Sequence, residues 1–345
     1  MQKAQNSFNR NGIMEHPFPK STSAVEKCKR LWEVVGSDDV LGIVINADPD
    51  SMASALALKR LFWRKAKKIL IYHINPIERA DNLAFIKLLK IEQENIRNVK
   101  RSLITKWAVV DSQPEHNDLL KRFQFHIIID HHPVLESTKA PFVDIKPEYG
   151  ANSTIMTEYL KAARIKPSPT LATALFYGIK TDTDNFVRNS LPNDVNAFRY
   201  LYKFVNMNVI KKIESSEMTV RTLDTYRKAM DRLIIHKDIA FVYMEGEQRP
   251  DWLVMVADFF MRLAEVTWAL VSGIHRGKVV VIIRNAGLRG NAGKLAERIF
   301  SRFGGSGGGH ASAGRAEVPL ANLEMHLEGQ NSLEKFLLSL IKSVR

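Results

Sequence analysis

The sequence predicts an α/β fold in two compact parts joined by a helical connector. Three observations carry this. The 345-residue chain is longer than one ordinary domain, apolar runs alternate with amphipathic stretches through its first half, and a second alternation begins near residue 237. Expected boundaries are an N-terminal arm over 1–22, a first α/β domain over 23–190, a helical connector over 191–236 and a smaller mixed α/β domain over 237–345. Hydrophobic residues at 45% and charged residues at 25% give the balance of a chain that buries cores.

In chain order, the arm has no sustained periodicity. LGIVIN (41–46) is a buried strand, SMASALALKRLFWRK (51–65) a helix, KILIYHI (68–74) a second strand and 80–91 a second helix. WAVVD (107–111) and FHIIID (125–130) are further buried strands, and this alternation is the pattern of a mostly parallel sheet. Beyond Asp182 the chain reads as helical, with one long amphipathic helix over 221–235. DIAFVYM (238–244), a helix near 252–262, EVTWALVSGI (265–274), KVVVIIR (278–284) and a helix over 291–303 make the second α/β unit.

Composition narrows the function classes. No apolar run is long enough to span a bilayer, and the first residues lack a signal-peptide core, so a cytoplasmic location with no membrane partner is expected. The single cysteine, Cys28, makes no internal disulfide, and no Cys/His spacing points to structural zinc. A formal charge of +13 favours anionic partners such as nucleotides. No aromatic and basic stripe marks a surface for long RNA.

The informative pattern is where acids and imidazoles fall. Asp48 and Asp50 follow LGIVINA, Asp111 ends WAVVD, and Asp130, His131 and His132 end FHIIID. In an open α/β sheet the ligand crevice lies outside the carboxyl ends of the strands, so these residues converge on one rim. Asp182, expected in a polar turn after LATALFY, faces the same rim. Carboxylates crowded together repel one another unless cations neutralise them. Carboxylate with imidazole suits Mn²⁺, with Mg²⁺, Co²⁺ or Zn²⁺ as alternatives. Each piece also has a plainer role. Asp48 or Asp50 can cap the helix beginning at Ser51, and Asp111 can be a turn residue.

Together, NADPD (46–50), VVDSQP (109–114), DHHP (130–133) and GIKTDTDNF (178–186) resemble the four successive motifs of the DHH family of phosphoesterases. GGSGGGHASAG (304–314) resembles the glycine-rich motif of the DHHA1 substrate-binding domain that follows in that family, so the resemblance covers most of residues 40–318. It implies two divalent ions, with Asp48 and Asp111 on one, Asp50, Asp111, His131 and Asp182 on the other, and Asp111 bridging. It further implies that His132 touches the scissile phosphate or protonates the leaving group, and that Asp130 orients the histidines. One departure stands out. The family places a histidine four residues before its first Asp, and that position here is Val44, which weakens the first site. His73, ending a neighbouring strand, is a candidate replacement, against its plain role as a strand-end histidine.

Gly304 is placed to stop the helix before it. The cluster ending in Gly307, Gly308, Gly309 and His310 exceeds what a cap needs and suggests N–H groups presented to phosphate. It is no P-loop, because the Gly-Lys-Ser/Thr ending is missing. Arg284, with Arg289 nearby, is the expected clamp for a terminal phosphate or a nucleotide backbone. The expected enzyme hydrolyses short oligonucleotides, 3′-phosphoadenosine 5′-phosphate or cyclic dinucleotides, in the manner of an exonuclease or nanoRNase, with the second domain closing over the substrate. A processive exonuclease fits less well, for want of a further nucleic-acid-binding domain. The rival is a nucleotide-binding regulator that has lost catalysis at Val44. A homodimer is compatible with either.

Overall fold

The computed structural model describes residues 22–135, 138–187, 190–217, 220–286, 290–327 and 332–342. The expected arm, up to Ser21, and Arg289 lie outside the described residues. The chain divides into two compact units, Met1–Glu217 and Met218–Arg345. No helix of the described residues is long and apolar enough to cross a membrane.

The first unit is built on six parallel strands: β1 (Val40–Ile45), β2 (Lys68–His73), β3 (Glu94–Asn95), β4 (Lys106–Val110), β5 (Ile127–Asp130) and β6 (Phe142–Ile145), in the order β3-β2-β1-β4-β5-β6. The order reverses beside β1, so the crevice at a topological switch point opens past the carboxyl ends of β1 and β4. The helices are α1 (Ala24–Glu33), α2 (Pro49–Leu61), α3 (Ala80–Leu89), α4 (Asn152–Ala162), α5 (Pro169–Asp182), α6 (Pro192–Tyr202) and α7 (Met207–Glu214). Alternation along β1 sends Leu41, Ile43 and Ile45 into the core shared with α2, α4 and α5, and Val44 into an apolar cluster with Tyr72, Val109 and Ile128 on the other face.

β3, β6 and α4 lie outside the predicted set. β6 hides in the sequence because its four residues include Asp144, fully buried, whose carboxylate accepts hydrogen bonds from Lys27 Nζ and Tyr159 Oη at 2.7 Å each. A charge inside a strand reads as surface until its partners arrive from 117 residues away.

The expected connector does not form a body of its own. Asp194 of α6 accepts from Gly150 N, Thr154 Oγ1 and Leu191 N, which fastens that helix to the first unit. Ile210 and Ile213 of α7 enter the same core. α8 (Val220–Asp231) belongs instead to the second unit and is followed by a strand, so the single helix expected over 221–235 ends early.

The second unit holds β7 (Ile234–His236), β8 (Ile239–Glu247), α9 (Pro250–Phe260), β9 (Trp268–His275), β10 (Lys278–Asn285), α10 (Ala292–Phe300), β11 (Ser306–Gly309), β12 (Ala313–Pro319), α11 (Leu320–Glu324) and α12 (Leu333–Lys342). Its sheet order is β11-β12-β10-β9-β8-β7, antiparallel except for β8 beside β9. Val279, Val281 and Ile283 face α10 and α12, whereas Val280 and Ile282 face α8 and α9.

Candidate metal centre

The centre forms because three strand ends and one helix end meet. Asp50 opens α2 and is 1% exposed. Its two oxygens accept the N–H groups of Asn152 (2.6 Å) and Ser153 (2.8 Å), so it sits on the positive end of α4. Gly178 of α5 allows this approach, because a β-carbon there would lie 2.5 Å from Ser153 Oγ and 3.1 Å from Asp50 Oδ1. Asp111 follows β4 with φ +60°, a left-handed conformation uncommon outside glycine, and is held there by its N–H on the Ile129 carbonyl at 2.9 Å.

His131 faces both Asp111 (Nε2 to Oδ1, 3.2 Å) and Asp182 (Nε2 to Oδ2, 3.0 Å). Its Nδ1 lies 3.1 Å from the Tyr149 carbonyl, which can only accept. The neutral ring's proton is therefore on Nδ1, and the Nε2 lone pair points into the cluster, the arrangement metal-binding imidazoles use. Among the described residues, Asp111 Oδ1 and His131 Nε2 are buried with no aligned hydrogen-bond partner despite their close approach. Among the described residues three sets have ligand atoms within 4.8 Å of one another: Asp50, His131 and Asp182; Asp111, His131 and His132; and, beside them, His116, Asp130 and His132. Buried, partnerless acceptors among carboxylates and imidazole fit a divalent cation, which completes their coordination and neutralises their charge.

Electrostatics say the same. Burial first, then repulsion from Asp182, pushes Asp50 up to about 7. Burial, with Asp50 and Asp48 nearby, pushes Asp111 well above the carboxylate range. Burial alone would lower His131, but Asp111 and Asp182 drive it up to about 12. Without a cation, the cluster holds protons in its place.

Asp130, fully buried, accepts from His131 N (2.9 Å) and His132 Nδ1 (2.8 Å) on one oxygen and from Gln113 Nε2 (2.7 Å) on the other. Burial would raise this carboxyl, yet the hydrogen bond and charge of His132 outweigh it and hold the group below its ordinary value. Gln113, fully buried, is a residue that sequence reasoning passes over. Its amide also donates to Pro133 O and accepts from Leu135 N and Thr138 Oγ1, so it fastens the loop carrying both histidines. The signal was its place two residues after Asp111. His116 is a second unread residue, and its ring meets that of His132 edge-on at 5.2 Å.

Other expected residues are placed differently. Asp48 is the N-cap of α2, its carboxylate accepting from Ser51 N at 2.8 Å in a capping box. It stands within electrostatic reach of Asp182 and His131 but, among the described residues, in none of the three-ligand sets. Asp182 is the last residue of α5 and not a turn residue. The turn follows it, with Asp184, Asn185 and Phe186 all at positive φ. His73 gives its Nδ1 to the Asn75 carbonyl at 2.7 Å, and no set of three ligand groups among the described residues includes it.

In the second unit, Arg284 donates to Asp258 of α9 at 2.6 Å. The glycines are a short edge strand, not a loop, lying against α10. A β-carbon on Gly307 would fall 2.7 Å from the Ala296 backbone, and one on Gly309 2.2 Å from Ala313 O. Close approach thus accounts for these two, whereas Gly308 faces open space and His310 is exposed. Gly304, at φ +69°, ends the turn after α10 as expected.

Residues 42–179 match the model of the DHH family, N-terminal domain. The chain carries a DHH domain. An uncharacterized protein of Methanocaldococcus jannaschii is 34% identical over 277 residues, covering 80% of this chain, and the match spans 57% of that relative's length. A second uncharacterized protein of that organism is 27% identical over 312 residues, covering 84% of this chain and 90% of its own. Beyond the DHH domain the likeness extends to overall fold. An exopolyphosphatase-related protein from Bacteroides fragilis superposes with a TM-score of 0.66 at 16% identity, over 90% of this chain and 98% of its own.

Proposed function

We propose that this DHH protein is a metal-dependent phosphoesterase acting on short oligonucleotides, 3′-phosphoadenosine 5′-phosphate or cyclic dinucleotides. The observation that carries the reading is the pair of buried, partnerless ligand atoms, Asp111 Oδ1 and His131 Nε2, flanked by Asp50 and Asp182. Asp50, Asp111, His131 and Asp182 hold the principal ion, and Asp48 with Asp111 serves a second, weaker one, because Val44 brings no imidazole to the rim. Manganese suits this donor set best, with magnesium and cobalt as alternatives. A bound divalent ion supplies Lewis acidity toward a phosphoryl oxygen and acidifies water.

The chain's own residues do the rest. Tyr149 O and Asp130 lock the two imidazoles in fixed tautomers and orientations. His132, half exposed at the mouth of the cluster, meets the phosphate and delivers a proton to the leaving oxygen. Asp130 keeps that imidazole's Nδ1 protonated, so Nε2 is the atom that exchanges protons. Within the second unit, Arg284, released from Asp258, and the outer edge of the Gly307–Gly308–Gly309 strand with His310 are proposed phosphate-binding groups.

The test is turnover of a panel of di- to pentaribonucleotides, 3′-phosphoadenosine 5′-phosphate and cyclic di-AMP with Mn²⁺, alongside Asp111→Ala. Turnover lost both in the variant and with chelator is expected. Burial of Val44 in an apolar cluster favours one rival, a nucleotide-binding regulator. Nucleotide binding without turnover under any divalent metal would select it.

A further inference from the structure

We propose that His116 is a substrate-binding residue, donating its Nε2–H to a non-bridging oxygen of the phosphate that His132 also meets. The inference rests on the phosphoesterase reading and extends it to a residue outside the four motif signatures.

The tautomer follows from local geometry. Gln113 N, whose hydrogen can only be donated, lies 3.2 Å from His116 Nδ1, so that nitrogen presents its lone pair. Ser112 Oγ lies 3.2 Å from the same atom and can donate as well. A neutral imidazole with its lone pair on Nδ1 carries its proton on Nε2. His116 is therefore locked as a donor by its own short helical turn, Pro114–His116.

Position makes that donor useful. His116 is exposed, and its ring stands at 77° to that of His132 with centroids 5.2 Å apart. A nitrogen of each ring and an oxygen of Asp130 lie within 4.8 Å of one another. Asp130 already accepts from His131 N and His132 on one oxygen and from Gln113 on the other. The two imidazoles, packed edge to face, together form a donor surface for a tetrahedral oxyanion. Protonation on Nε2 disfavours His116 as a cation ligand through that atom, which separates this role from that of His131.

Two side chains divide the roles of the ring. Asparagine places an acceptor near the Nδ1 position and so keeps the turn, without reaching as far as Nε2. Glutamine places an N–H near the Nε2 position but lacks the short acceptor. With Mn²⁺ and bis(p-nitrophenyl) phosphate, His116→Asn and His116→Ala are expected to raise KM about tenfold or more, the scale of one hydrogen bond to a charged oxygen, while His116→Gln stays within about threefold of the parent. A purely structural residue would give the reverse order, with Asn normal and Gln impaired, and would overturn the proposal.

A second readout does not need turnover. Long-range ¹H–¹⁵N spectra of the Mg²⁺-loaded protein should show His116 as the Nε2–H form, with that resonance shifting as inorganic phosphate is added. An Nδ1–H form, or a resonance unmoved at saturating phosphate, overturns the assignment. Absence of turnover in the parent protein would instead sink the phosphoesterase reading, and the spectra would still decide whether His116 binds the anion.

Discussion

Gly178 lies so close to Asp50 that a β-carbon on it would stand 3.1 Å from both Cα and Oδ1 of the aspartate. The glycine of α5 thus sets how deeply Asp50 enters the site, although it carries no chemistry itself. Gly178→Ala is expected to displace Asp50 or Ser153, at a stability cost of about 1–3 kcal/mol for an overpacked contact. It should also weaken Mn²⁺ binding about 10–100-fold, the usual scale for disturbing a ligand's supports. Calorimetric titration with Mn²⁺ and a thermal melt in chelator measure the two effects separately. Unchanged affinity would show that Ser153, not Asp50, absorbs the added methyl.

The metal-free protein should lose stability as pH rises. Asp50 is raised to about 7 in the folded state against about 4 in an open chain, so between these values the folded state binds more protons than the unfolded one. Its contribution is therefore present at low pH and lost as pH climbs through 7. His131, raised to about 12, acts in the same direction above about 6.5, where the unfolded imidazole has released its proton and the folded one has kept it. Saturating Mn²⁺ takes the place of these protons and should flatten or invert the slope. Denaturant melts at pH 5, 6, 7 and 8, with chelator and with Mn²⁺, test the sign. A chelated protein that gains stability from pH 5 to 8 would contradict the cluster's electrostatics.

Asp130→Asn replaces an oxygen that accepts from two donors on the histidine loop. The amide can present its nitrogen to His132 and so reverse that ring's tautomer. Expected is a drop of about 10–100-fold in kcat with metal stoichiometry kept, because the residue orients the imidazoles and does not bind the ion. Loss of the metal itself in this variant would place Asp130 among the ligands.

Gly307 and Gly308 separate packing from binding in the second unit. A β-carbon at 307 meets the Ala296 backbone at 2.7 Å, while one at 308 meets nothing within 4 Å. Gly307→Ala should lower the melting temperature, at a cost of about 1–3 kcal/mol. Gly308→Ala should leave stability within about 0.5 kcal/mol and change only KM. An equal loss of stability in both would remove the packing account of this strand.

Much of the fold was legible because its signals are local. Apolar runs bounded by polar turns marked β1, β2, β4 and β5, and acids at their ends marked the rim. β6 was hidden because burying Asp144 makes sense only once Lys27 and Tyr159 are beside it. The same limit applies at the site. Strand-end position pointed Asp50, Asp111 and His131 to one rim, and the resemblance to the DHH motifs, not residue type alone, implied that they and Asp182 are ligands. The sequence offered the cap of α2 for Asp48 or Asp50 without choosing between them, and it could not tell that His73 bonds the Asn75 carbonyl or that Arg284 is engaged by Asp258.

The sequence by itself determined the α/β class, the DHH motifs and the residue types that a divalent cation needs. Tertiary structure alone decided which ring nitrogen of His131 and His116 carries the proton, how Gln113 and Asp130 fasten the histidine loop, and why Gly178 and Gly307 are glycines. The physical reason is that periodicity and turn chemistry act over a few residues, whereas a hydrogen-bond partner or a steric limit is set by whatever the fold brings within about 3 Å.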